Sequence, residues 1–293
     1  MNAPVAIDAA TLERARLLHL RARQAVAGLH HGAHLSVKLG ADAEFADYKP
    51  YAPGDALRDL DWRVLARSER LVVRRHRAEQ ELACTLVFDA SADLGSVPAK
   101  WEHAVQLVAT LAVFLSGLGE PVGLVIGAGE GVEQRSWPTR QGRRHLLRML
   151  VELARVRPAG RASLEGLFGE VGGRLAARTL VVVVSDFMEP VEVWSDSLAA
   201  LVCRRCDLRA LHVYDPVELG LPFAEPLRVR SPETGADQVV DPVAAREAFG
   251  RVVADWRDEV RVAVLARRGV FVPAPAGADL VGMLRAFASG AHA

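Results

Sequence analysis

The sequence has only three cysteines in 293 residues, Cys84, Cys203 and Cys206. Three thiols cannot build a disulfide framework, so we expect a protein of a reducing compartment. The spacing of Cys203 and Cys206 matches redox and zinc motifs, but no second pair exists, and the pair is expected to close a helix rather than open one. We interpret it as two half-buried thiols one helical turn apart.

Long apolar runs are also missing. The most apolar helical stretch, residues 104–118, is interrupted by Gln106 and is shorter than the roughly 20 residues needed to span a bilayer. The N-terminus carries Asp8 and Glu13 and lacks the basic-then-apolar layout of a signal peptide. We therefore expect a cytoplasmic protein without a membrane span.

The chain has no excess of either charge, because 36 Lys and Arg residues balance 36 Asp and Glu residues. No global field therefore attracts it to nucleic acid or to an anionic membrane. It also lacks a Gly-x-Ser-x-Gly elbow, a His-Glu-x-x-His zinc helix and a Walker lysine, and residues 127–131 are better explained as a hairpin turn than as a phosphate loop. We find no nucleophile or convincing general base, so the sequence does not indicate an enzyme.

What is present is a pair of short apolar strands that end in polar residues. Residues 85–88 form an apolar run followed by Asp89, Ser91 and Asp93, and residues 180–184 form another followed by Ser185 and Asp186. Apolar runs of this length predict strands buried on both faces. Since ligands bind at the carboxyl ends of parallel strands, Asp89 and Asp186 are predicted to meet there, with both strands central in one sheet.

Strand and helix patterns alternate along the rest of the chain, which predicts a doubly wound, mainly parallel α/β sheet covered by helices on both faces. The expected domains are 1–80, an N-terminal helix and loop segment packed on the main domain, and 81–293, the sheet domain. Residues 222–241 are predicted to form a hairpin outside the sheet, and Pro242 begins a long helix. The expected helices are 11–28, 101–118, 142–156, 163–175, 195–206, 242–267 and 279–287, and the expected strands are 71–77, 85–88, 122–126, 131–137, 179–184, 208–214 and 269–272.

A third loop, residues 158–164, presents Ser163 just before a predicted helix. Together with Asp89, Ser91, Asp93 and Asp186 it would offer hydroxyl and carboxylate oxygens. Such hard ligands suit Mg2+, Ca2+ or Mn2+ rather than zinc.

A second candidate region lies between His30 and Arg67, where turn residues, charges and aromatics are dense. Its Pro53-Gly54-Asp55 turn precedes arginine, carboxylates and a tryptophan. An ordered loop held by its own ion pairs explains this pattern at least as well as a ligand site does. The residues singled out are Tyr51, Pro53, Gly54, Asp55, Arg58, Asp61, Trp62 and Arg67.

The strand-end pattern resembles the von Willebrand factor A fold and its metal-ion-dependent adhesion site, in which Asp-x-Ser-x-Ser is joined by a threonine and a later aspartate. Asp89, Ser91 and Asp186 match this pattern. Asp93 stands where the pattern has its last serine, and Ser163 stands for the threonine. The resemblance therefore implies a degenerate metal site.

A narrower resemblance comes from the order Tyr51-x-Pro53-Gly54-Asp55-x-x-Arg58-x-x-Asp61-Trp62-x-x-x-Ala66-Arg67, preceded by Glu44-Phe45. With the strand to Asp89 and Ser185-Asp186-Phe187, it is similar to the bacterial family of domain of unknown function 58. That resemblance implies a partner role: family members are associated with MoxR-type AAA+ ATPases in chaperone-like assembly or maturation of client complexes.

Asp93, in place of the last serine of the pattern, changes the charge around any bound metal. Uncharged serine and threonine ligands leave a metal able to attract a partner's carboxylate, whereas Asp93 supplies that negative charge from within. Two unit charges at close range interact by about 4 kcal/mol at an effective dielectric of 20. The hypothesis is that any metal is structural, or that the pocket is metal-free with Asp93 held by a nearby arginine or amide.

The alternative function is a metal-dependent hydrolase, a nuclease or phosphatase, that uses Asp89, Asp93, Asp186 and Asp215 at strand ends. Against it, Ser91 stands where haloacid dehalogenase-like phosphatases carry their second aspartate. Asp215 leads into Pro216 on a strand that is not expected to adjoin the site.

Overall fold

A computed structural model describes residues 9–32, 48–50, 64, 71–74, 82–127, 134–161, 163–203 and 205–289. The chain divides into two compact units, one of residues 1–37 with 82–293 and one of residues 38–81. In the smaller unit, β1 (Tyr48–Pro50) pairs antiparallel with β2 (Val72–Arg74). The N-terminal helix therefore groups with the sheet unit, whereas the prediction counted it with residues 1–80.

The larger unit alternates strands and helices as predicted. Its strands are β3 (Cys84–Asp89), β4 (Val122–Gly127), β5 (Arg135–Arg140), β6 (Leu180–Ser185), β7 (Asp207–Tyr214), β8 (Leu227–Arg230), β9 (Asp237–Val240) and β10 (Val270–Pro275). Its helices are α1 (Ala9–Gly32), α2 (Pro98–Gly117), α3 (Arg143–Arg155), α4 (Leu164–Arg174), α5 (Val191–Cys203), α6 (Pro242–Ala266) and α7 (Leu280–Ser289). A short 3-10 helix, Pro216–Leu219, follows β7.

Six strands form one sheet in the order β10-β7-β6-β3-β4-β5, and only the edge strand β5 runs antiparallel to its neighbour. The winding reverses between β3 and β6, as in doubly wound folds of order 3-2-1-4-5-6. The predicted fold class, a doubly wound and mainly parallel α/β sheet, is thereby confirmed.

Helices cover both faces of this sheet because its central strands are apolar on both sides. Every residue of β3 and β6 is buried. Val87, Val181 and Val183 pack into a core with α4, α5 and α6. On the other side α1 packs against α2, α3 and α7, and Phe88 contacts Trp101 of α2 with ring centroids 5.4 Å apart.

Some element boundaries differ from the sequence-based prediction. Helix α5 begins at Val191 rather than Ser195 and ends at Cys203, so Cys206 lies beyond the helix that it was expected to close. Strand β5 begins at Arg135 rather than Gly131. The hairpin expected within residues 222–241 is present as β8 and β9, paired from Leu227 opposite Val240 to Arg230 opposite Asp237.

Candidate functional site

The reversal of winding puts two strand ends side by side. Strands β3 and β6 are parallel neighbours, with Phe88 opposite Val184, so both chains leave the sheet at the same edge. Asp89 ends β3 and Asp186 directly follows β6, and both carboxyl groups are buried, at 4% and 2% exposure. The predicted meeting of the two aspartates is confirmed by this geometry.

Asp89 is held by donors from both strands. The Ser91 N–H donates to Asp89 Oδ1 at 3.0 Å, and the Ser185 hydroxyl donates to Oδ2 at 2.7 Å. The Phe187 N–H in turn donates to Ser185 Oγ at 2.8 Å. Burial, and next the charge of Asp186, raise the pKa of Asp89 to about 7, while the bonds from Ser185 and Ser91 oppose the rise.

The turn after Asp186 is a strained piece of backbone. Phe187 has a φ of 55°, in the left-handed region that residues other than glycine seldom adopt. It is 1% exposed and packs against Trp194 with ring centroids 5.7 Å apart. Tertiary packing therefore holds the conformation that places Asp186 and the Phe187 N–H at this edge.

A buried lysine completes the arrangement. Lys100, in the first turn of α2, donates from Nζ to Asp186 Oδ2 at 3.1 Å and to Glu218 Oε1 at 2.7 Å. Its side chain is 1% exposed. Burial lowers the pKa of Lys100, but the carboxylates of Asp186 and Glu218 outweigh that effect and raise it overall, so the ammonium stays charged.

Glu218 follows β7, the strand that pairs with β6. It lies in the 3-10 helix after β7, where its Oε2 accepts from the Asp215 N–H at 2.9 Å and Asp215 Oδ1 accepts from the Val217 N–H. Ser96 also donates its hydroxyl to Glu218 Oε1 at 3.3 Å. The lysine thus joins segments that follow three strands, β3, β6 and β7.

Asp93 lies at the margin of this cluster and is half-buried. Burial, then the charges of Glu233 and Asp186, raise its pKa to about 6, and Lys100 opposes that rise. Glu233 belongs to the turn between β8 and β9 and lies 3.9 Å from Arg161. The hairpin tip therefore adds a further carboxylate close to this edge, and the positive charge of Lys100 favours the charged form of Asp93.

Ser163 is used differently from its predicted role. It is exposed, and its Oγ accepts from the Gly166 N–H at 3.3 Å, so it caps the N-terminus of α4. The loop before Ser163, residues 158–161, does contact the loop after β3. The Ala92 N–H donates to the Gly160 carbonyl, and a side chain at Gly95 would collide with Pro158. The loops converge as expected, but the Ser163 hydroxyl is occupied at the helix cap.

In this arrangement the predicted donors do not fit a divalent cation. Both oxygens of Asp89 accept hydrogen bonds, and Asp186 Oδ2 already binds an ammonium. Within the described ranges, no three His, Cys, Asp or Glu side chains gather in a group able to hold a metal ion. All eight residues singled out in the second candidate region, from Tyr51 to Arg67, lie outside the described residues.

The sequence interpretation missed Lys100 and Glu218. The available signal was compositional and positional: Lys100 is one of three lysines among 36 basic residues, and it stands in the first turn of a helix. Cations are disfavoured there by the helix dipole. Glu218 gave no comparable signal, because its role depends on the turn that follows β7.

Residues 47–259 match the family described as protein of unknown function DUF58. The chain belongs to this family. The DUF58 match spans the smaller unit from β1 onward and most of the sheet, including Asp89, Lys100, Asp186 and Glu218, so the predicted family resemblance is confirmed.

Sequences similar to this DUF58 protein occur in mycobacteria. Uncharacterised proteins of Mycobacterium bovis and of Mycobacterium tuberculosis are each 33% identical to it over 253 residues, which is 84% of this chain and 78% of theirs.

Two solved structures are also similar. An aerotolerance-related membrane protein from Bacteroides fragilis aligns with a TM-score of 0.46 and 15% identity over 71% of this chain and 98% of its own. The conserved hypothetical protein BatB from Bacteroides thetaiotaomicron gives 0.42 and 13% over 71% and 96%. Within the part of the DUF58 chain that the structure describes, no helix has the length and apolar character needed to cross a membrane.

Proposed function

We propose that this protein is a non-catalytic interaction protein. It acts with a MoxR-type AAA+ ATPase in chaperone-like assembly or maturation of client complexes, and it binds that partner through the carboxyl edge of the sheet and through residues 48–67. The family resemblance supplies the partner class. The observation that supports a binding role rather than a chemical one is that Asp89 and Asp186 are bound internally, by Ser91, Ser185 and Lys100.

Exposed apolar side chains beside this cluster offer a contact surface. Met188 follows Asp186 by two residues and is 48% exposed, and Val217 precedes Glu218 and is 43% exposed. We call these two residues the edge pair. Apolar side chains rimmed by charged groups are typical of protein-binding surfaces.

The test is co-purification of the tagged full-length protein from its native cell, with AAA+ ATPases identified by mass spectrometry. We expect such an ATPase with the wild type and not with Met188→Asp/Val217→Asp, because charges on the edge pair oppose burial. The matched control is Val252→Asp/Val262→Asp on α6, where both valines are exposed as well. Retention of the ATPase by the control and loss by the edge variant would support the proposal.

Two results would contradict it. One is an ATPase that co-purifies equally with the edge variant and the wild type, which would remove the carboxyl edge from the interface. The other is manganese-dependent cleavage of a nucleic acid or an aryl phosphate that disappears in Asp186→Ala, which would favour a hydrolase.

A further inference from the structure

The site contains an unusual choice of cation. Of the 36 basic residues, 33 are arginines, and the three lysines are Lys38, Lys49 and Lys100. A guanidinium is a broad plane with donors in a fixed fork, whereas an ammonium is a compact point charge. The position between Asp186 and Glu218 therefore holds the basic group that is closest in shape to a metal ion, in a chain that otherwise uses arginine.

The position is also costly for a cation. Lys100 is the third residue of α2, where the helix dipole is unfavourable to positive charge, and its side chain is 1% exposed. Such a group is retained only when its acceptors are well placed. Its acceptors, Asp186 Oδ2 at 3.1 Å and Glu218 Oε1 at 2.7 Å, come from two different strand-end segments.

We propose that the Lys100 ammonium is the built-in cation of this edge and takes the role that a divalent metal has in an adhesion-type site. It holds Asp186 and Glu218 together, and Glu218 Oε1 also accepts from the Ser96 hydroxyl in the loop after β3. The wild-type edge is therefore organised without a metal, and any partner binds it in a metal-independent manner. This inference does not depend on which partner binds.

The ammonium and a divalent cation exclude each other here. Both require Asp186 Oδ2, and two positive charges in one buried site repel strongly because little solvent screens them. Removing the lysine charge leaves Asp186 Oδ2 and Glu218 Oε1, which both contact the ammonium in the wild type, without their cation. Two carboxylates with water completing the shell are the hard-oxygen ligands through which Mg2+ or Mn2+ binds.

The experiment titrates Mn2+ into the full-length wild type and Lys100→Met, followed by calorimetry and by the electron paramagnetic resonance of bound Mn2+. We expect no saturable binding to the wild type and a single site in Lys100→Met, tighter by about tenfold or more once the competing charge is gone. The control is Lys100→Met/Asp186→Asn, which lacks the shared ligand and should lose the site again. Thermal unfolding should show that Mn2+ raises the midpoint of Lys100→Met only.

A saturable Mn2+ site in the wild type that Asp186→Asn abolishes would overturn the proposal, as would a folded Lys100→Met that binds no Mn2+. If Lys100→Met does not fold, Asp93→Ser decides, since it restores the adhesion-type serine at a half-buried position while Lys100 stays in place. Absence of Mn2+ binding to Asp93→Ser supports a lysine that occupies the cation position, and binding overturns it.

Discussion

Lys100 and Arg209 are both buried cations of the sheet unit, but Lys100 lies at the carboxyl edge and Arg209 toward the amino end of β7. Lys100 donates to two carboxylates within 3.1 Å. Arg209 is 4% exposed, its nearest carboxylate, Asp207, is 3.7 Å away, and its guanidinium lies 4.7 Å from the centre of the Phe287 ring. Among the described residues, its Nε and Nη1 have no hydrogen-bond partner.

The Lys100 charge connects two carboxylates of separate loops, whereas the Arg209 charge is accommodated by packing against an aromatic ring. Burial lowers the pKa of Arg209, and Asp207 opposes that shift. A guanidinium nevertheless stays protonated and tolerates an aromatic neighbour. Lys100 instead connects separate loops. Substitution at the two positions should therefore have unequal consequences, and the following predictions test that inequality from the largest effect to the smallest.

Lys100→Met should be the most destabilising of these changes, by about 3–5 kcal/mol in the free energy of unfolding, because it leaves the buried Asp186 carboxylate unpaired. Urea unfolding of the full-length protein measures it. Arg251→Met is the matched control: Arg251 is exposed and pairs with Glu247 at 2.6 Å, so its loss should change stability by about 0.5 kcal/mol or less. Equal effects of the two changes would break the comparison.

The sequence predicted the edge itself better than the cation that organises it. Apolar runs that end in Asp89 and Asp186 required two central parallel strands, so their meeting follows from burial and from the rules of sheet topology. Lys100 and Glu218 are brought together by a helix start and by a capped turn more than a hundred residues apart. No periodicity encodes that contact. Ser163 caps α4 in the structure, and the sequence could not show this because a capping serine and a ligand serine have the same local pattern.

His212 is another buried basic group of the sheet unit, and it should make the free energy of unfolding depend on pH. It is 1% exposed, both ring nitrogens lack a hydrogen-bond partner among the described residues, and aromatic rings surround it, including Phe187 and Trp256. Burial, and next the charges of Arg257 and Lys100, lower its pKa to about 3. Between that value and the ordinary 6.5 the unfolded chain binds the extra proton, so stability is lost as pH falls through this window.

His212→Leu should remove this loss. Relative to the wild type, the variant should gain stability on the order of 3 kcal/mol between about pH 7 and about pH 4, with little difference at the higher pH. Urea unfolding across that range measures the slope. His145→Gln is the control, since it removes a histidine of α3 and leaves His212 in place. Parallel slopes for the wild type and His212→Leu would show that the ring is not the acid-sensitive group.

Arg209→Met tests the other buried cation directly. The change should alter the free energy of unfolding by about 1 kcal/mol in either direction, because the lost contact with Phe287 is offset by removal of a poorly paired buried charge. Chemical unfolding beside Lys100→Met gives the comparison under one set of conditions. A loss as large as that of Lys100→Met would mean that the amino end of β7 depends on its cation as much as the carboxyl edge does.

Ser163→Ala should have the smallest effect. It tests whether Ser163 belongs with Asp186 and Glu218 among the residues that hold a cation at the carboxyl edge. Its hydroxyl accepts one exposed bond of 3.3 Å at the start of α4, so we expect a loss of about 0.5 kcal/mol, at the low end for a helix cap. Glu189 accepts from the Leu164 N–H at 2.7 Å and continues to hold the same helix end. Ser163 makes none of the contacts that join Lys100, Asp186 and Glu218, so Lys100→Met/Ser163→Ala should bind Mn2+ as tightly as Lys100→Met does. Weaker Mn2+ binding by the double variant would show that Ser163 is one of the ligands.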